Sequence, residues 1–134
     1  MLSSSRLLNI SAVLAVFVVF DYLYWIVLFG DFLGVPDMGP REWIWFHSAS
    51  AVMAICFVVL FERGWPESGT RNGAIFGLIA GTFWGIGEFM SYAQGSGNII
   101  ETLTNCLGDI GMFVIAGVVL GSIGADGEPK STGF

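Results

Sequence analysis

The chain has 134 residues, of which 54% are hydrophobic and 12% charged, with a formal net charge of −6. Its mean hydropathy is +0.75, and a soluble domain of this size cannot bury so much apolar surface in one core. The acidic balance, with five Lys and Arg in all, excludes the basic footprint of a nucleic-acid-binding protein.

In chain order, four apolar runs stand out, at 7–29, 43–61, 74–93 and 103–123. Each has about the 20 residues that a helix needs to cross a ~30 Å hydrocarbon layer. Lipid offers backbone amides no partner, so these runs are read as helices. The expected fold is an all-α integral membrane four-helix bundle, one domain over 1–124, with a disordered polar tail at 125–134. The first run follows Arg6 and contains Asp21. It exceeds the h-region of a signal peptide and is followed by no small-x-small cleavage site, so it reads as a retained span. The first connection, GDFLGVPDMGPRE, is acidic and turn-rich, while ERGWPESGTRNG and QGSGNIIE are short polar turns. Arg6, Arg63, Arg71 and Lys130 fall on one side and Arg41 on the other, which predicts cytoplasmic termini. Cys56 and Cys106 lie inside spans and read as small buried hydrophobes rather than a disulfide or a metal pair.

Association of helices in lipid depends on close packing and polar contacts. In the third run Gly73, Gly77, Gly81 and Gly85 recur every four residues, a glycine zipper along which another backbone can approach. The fourth run repeats the device with Gly117 and Gly121. Glu88 lies seven residues beyond Gly81 and therefore close to the same seam. The spacing does not say whether the neighbour belongs to the same chain.

Each run carries one ionisable residue: Asp21, His47, Glu88 and Asp109. A charge inside the membrane costs at least ~2.5–3.5 kcal/mol unless paired or solvated. Counted at about 1.5 Å per residue from the outer ends, these groups lie roughly 12, 6, 7 and 9 Å deep, all in the outer half. The inner half is almost purely aliphatic, with VLAVFVV, FVVLF, AIFGLIAG and VIAGVVLG. Thr102, Asn105, Asp109 and Met112 form one helical stripe. Tyr24, Trp25 and Trp84 lie about one turn from Asp21 or Glu88. The resulting expectation is an acidic, aromatic-lined pocket of Asp21, His47, Glu88, Asn105 and Asp109, open outward above an apolar plug. Such a site favours protons and cations. The bland alternatives are a helix cap for Asp21, a wetted interfacial histidine for His47 and interhelical glue for Asn105 with Asp109.

Two functional readings remain open. One is proton-linked transport or binding of a small cationic or polar solute. The other is a non-catalytic subunit of a larger membrane complex, or a homo-oligomer, since four short spans enclose little volume. The chain has one His, no Cys/His cluster and no Ser–His–Asp signature, so neither an enzyme nor a metal or other cofactor is expected. The expected partner common to both readings is the lipid bilayer.

From Asp21 to Gly121 the chain resembles a group of small four-span bacterial membrane proteins. The resemblance lies in Asp21 and Trp25, in the glycine-rich GAIFGLIAG and in Asp109 near the start of the last span. The chain departs from that group after Asp109, where it reads DIGMF instead of continuing with Trp-Gly. Separately, ETLTNCLG (Glu101, Asn105, Gly108) is similar to the acidic-x-x-x-Asn-x-x-Gly pattern of VanZ-like proteins. The resemblance implies a bacterial cytoplasmic (inner) membrane location and transfers no reaction.

Overall fold

The computed structural model describes residues 4–29, 39–65, 69–95 and 97–125. They form α1 (Ser4–Asp21), continued by a π-helical segment (Tyr22–Leu28), then α2 (Pro40–Gly64), α3 (Thr70–Ala93) and α4 (Ile99–Ala125). Among the described residues there is no strand. Among the described residues four stretches are long and apolar enough to cross a membrane: Ser4–Leu28, Pro40–Gly64, Thr70–Ala93 and Ile99–Gly124. The expected disordered tail, apart from Ala125, and most of the first connection lie outside the described residues.

Local signals at the N-termini help set where α2 and α4 begin. At α2, Gly39 is extended (φ −72°, ψ 172°), Pro40 occupies the first turn and Glu42 faces the helix N-terminus. At α4, Asn98 Oδ1 accepts from the N–H groups of Ile100 and Glu101, both at 3.0 Å, and Asn98 N–H donates to Glu101 Oε2 at 3.2 Å. This is a reciprocal capping box. Asn98→Ala should therefore destabilise the protein by about 1 kcal/mol. Thermal unfolding in detergent measures this, and an unchanged midpoint contradicts it.

The tightest contact joins α3 to α4. Gly73, Gly77, Gly81 and Gly85 are all buried. A methyl on Gly73 would collide with the Gly117 carbonyl, and one on Gly77 with the Phe113 carbonyl. On Gly81 it would lie 2.8 Å from Ile110 Cα, and on Gly85 2.7 Å from Cys106 Sγ. The two helices thus run antiparallel, backbone against backbone, and the seam's neighbour lies in the same chain.

α1 packs on α2 and α4. Its Phe17 meets Phe57 of α2 and Phe113 of α4, with ring centroids 6.1 and 5.3 Å away. Phe76 of α3 joins through Phe57 (4.9 Å) and Phe61 (5.3 Å). Phe17 and Phe113 each lie one turn from an aspartate, Asp21 and Asp109, on the side away from the α3–α4 connection. The layer next to these aspartates is therefore aromatic at its centre, where the sequence suggests aliphatic chains.

At the far end Arg6 Nε donates to Glu62 Oε2 at 2.7 Å, and Asn9 Nδ2 donates to Glu62 Oε1 at 3.2 Å. Arg6 thus ties α1 to α2. The arginine is 40% exposed, so Arg6→Ala should destabilise by no more than about 1 kcal/mol. A larger loss in a denaturant titration would mean that the pair is shielded from solvent. Cys56 is exposed on the bundle surface and Cys106 is half-buried, which corrects the expectation of two buried thiols.

Candidate functional site

The polar residues of α4 fall on one stripe, as their spacing requires. Thr102, Asp109 and Met112 are buried, and Asn105 is partly so. Thr102 directs its hydroxyl to Asn98 O of its own helix at 3.0 Å and so makes no bridge between helices. Asn105 does bridge: its Nδ2 donates to Glu88 Oε2 of α3 at 3.2 Å. The glycine seam produces this pairing, since the register Gly77 to Phe113, Gly81 to Ile110 and Gly85 to Cys106 continues to Glu88 and Asn105. Asn105 Oδ1 is buried and accepts no hydrogen bond among the described residues. A fully desolvated amide oxygen is an acceptor waiting for a donor.

Asp109 is 9% exposed. Glu88 of α3 and Asp21 at the end of α1 lie within electrostatic reach of it, as does the Tyr24 hydroxyl. The Cys106 thiol is within reach of both Asp109 and Glu88. Asp109 thus has acidic neighbours on two other spans, while residues 72–129 contain no Lys, Arg or His. Among the described residues no three His, Cys, Asp or Glu side chains are close enough to hold one metal ion together.

Tyr24 reaches α4 from the π-helical segment. Its hydroxyl donates to Thr104 O at 2.8 Å. Its ring lies on Gly108, where an added methyl would stand 2.8 Å from Cζ. Phe20 stacks on the ring at 5.2 Å with a 15° interplanar angle, and Phe29 covers it at 4.7 Å. At the end of the segment Phe29 N–H donates to Tyr24 O at 3.1 Å, an i→i+5 bond. Such wide turns are rare and recur at functional sites. Counting along an ordinary helix could not have found this one.

Other expected members are elsewhere. His47 is exposed, and its ring stacks on Trp43 (5.6 Å, 24°) and meets Phe46 of the same helix. His47 and Ser50 lie three residues apart on one helical face, but the buried face of α2 begins only at Ser50. Among the described residues nothing buries the earlier turns of α2. Trp84 is 51% exposed and turns its ring partly toward Phe113 at 6.2 Å, so it is not a lining residue. The Trp25 side chain lies outside the described residues. Gly108 and Thr104 are the contacts that sequence reasoning missed, since only the fold shows what rests on them.

Comparisons with known proteins add no relative: no family model, no curated protein and no solved structure matches this chain.

Proposed function

We propose that this chain is a four-span membrane protein that binds or transports a small cationic or polar solute in a proton-linked manner. The observation that carries this reading is a buried Asp109 with Glu88 and Asp21, from two other spans, in electrostatic reach of it. Charges in a membrane interior are retained where they mark proton or solute paths. Apart from Arg71 in its first turn, at the end away from the carboxyls, α3 has no basic residue and α4 has none, so a proton or a cationic solute is the natural counter-charge. The open Asn105 Oδ1 adds an acceptor for an N–H or O–H group of the solute. A buried carboxyl that can hold either a proton or a cation links binding to pH. The positive-inside distribution orients the site toward the outer face with both termini cytoplasmic, in a bacterial inner membrane.

Purified protein in liposomes, challenged with a panel of small amines across an imposed pH gradient, tests this. Amine-dependent proton movement that Glu88→Gln removes is the expected result. Absence of any pH-dependent flux or binding, with Glu88→Gln silent, overturns it.

A second reading, a subunit of a larger complex or a homo-oligomer, is favoured by one feature. The first ten residues of α2 include no buried residue, although they carry the stacked Trp43 and His47. A polar ring exposed at that depth is best covered by another protein surface. Purification from native membranes in mild detergent with mass spectrometry decides it: recovery of the chain alone, as a monomer, counts against this reading.

A further inference from the structure

We propose that Tyr24 is a latch that closes the carboxyl site from the α3–α4 end and that the π-helical segment holds it in place; this rests on the proposed function above. Thr104 lies five residues from Asp109 toward that end, about 7 Å along the helix axis. Tyr24 caps this interval, with its hydroxyl on Thr104 O and its ring on Gly108, adjacent to Asp109. A carbonyl oxygen has two lone pairs, so Thr104 O can serve its own helix and still accept from Tyr24. The ring needs the space that Gly108 leaves, because a methyl there would meet Cε1 and Cζ.

The aromatic run Phe20, Tyr24 and Phe29 then forms a continuous cover along α4, with Phe20 against Gly111. It helps explain how Asp109 can be 9% exposed in the polar part of the bundle. Within electrostatic reach of Asp109 are Asp21 and Tyr24 from the first span, Glu88 from α3 and Cys106 from its own helix. Release of the latch breaks one hydrogen bond and lets the wide turns rewind to the commoner α geometry, swinging the ring off Gly108. Solute and water then reach Asp109. Tyr24 is a gating residue in this scheme and takes no part in binding.

The test reads access directly. Protein in nanodiscs is treated with a water-soluble carbodiimide and glycine ethyl ester, and the labelling rate of Asp109 is followed by peptide mass spectrometry against exposed Glu42. Tyr24→Phe keeps the ring and deletes the hydroxyl. It should speed Asp109 labelling about tenfold, the upper range for one net hydrogen bond. Gly108→Ala should also speed it, with the hydroxyl present, by displacing the ring. A Tyr24→Phe rate equal to wild type overturns the latch, and so does a folded Gly108→Ala protein that labels no faster. If Gly108→Ala does not fold, Tyr24→Phe decides alone. No transport is measured here, so the latch can fail while Glu88→Gln still abolishes proton-linked flux. The site can equally fail in that flux assay while the latch persists.

Discussion

Gly77→Ala should destabilise the protein by about 3 kcal/mol, and in a bundle of marginal stability it is expected to abolish folding. The reason is geometric. The added methyl would overlap the Phe113 carbonyl and stand 2.8 Å from Val114 Cα, both backbone positions of a packed helix. No side chain can rotate away, so α3 and α4 would have to separate. Parting them breaks the neighbouring approaches of Gly73 to Gly117 and Gly81 to Ile110. Lipid contacts replace much of what is lost in apolar burial, but not the close backbone packing that binds helices in a bilayer. Gly87→Ala is the matched control, since a methyl there meets nothing within 4 Å. It should change stability by no more than about 0.5 kcal/mol. Unfolding by denaturing detergent compares the two, and equal midpoints would mean that the helices are not in contact along this seam.

Asp109→Asn should weaken solute binding roughly 10- to 150-fold and remove its dependence on pH. A hydrogen bond to a charged group contributes about 1.5–3 kcal/mol, which converts to that range of affinity. The substitution keeps the side chain's shape while deleting its charge and its exchangeable carboxyl proton. Because Asp109 is buried among other acids, losing the charge should leave stability unchanged or raise it. Glu88→Gln should behave alike, since a glutamine oxygen can accept Asn105 Nδ2 where Glu88 Oε2 does now. Isothermal titration at two pH values, alongside thermal unfolding, separates the effects. Full binding in Asp109→Asn would remove the aspartate from the site, and a large loss of stability would make its role structural.

Much of this bundle could be read from residue order, because the relevant signals are local or periodic. The four runs, the spacing of Gly73 to Gly85 and the stripe of Thr102, Asn105, Asp109 and Met112 depend only on helical geometry. The capping box at Asn98 and Glu101 was also present as a three-residue spacing, although Glu101 drew notice only as part of a family-like pattern. What could not be read depends on register and on where packing stops. His47 shares a helical face with Ser50, yet the protein interior ends between them. Arg6 and Glu62 are 56 residues apart and carry no mutual signal. The π-helical winding after Asp21 redirects Tyr24, and helical arithmetic at 100° per residue fails there. Trp84 lies one turn from Glu88 in sequence, but it sits off the buried glycine seam and stays half-exposed.

Site-specific carboxyl ¹³C NMR of Asp109, recorded across a pH series in nanodiscs, tests the shared site most directly. If Asp21, Glu88 and Asp109 form one coupled group, Glu88→Gln and Asp21→Asn must each displace the Asp109 titration curve. An Asp109 curve identical in wild type and both variants would show three independent acids, and no common site would remain.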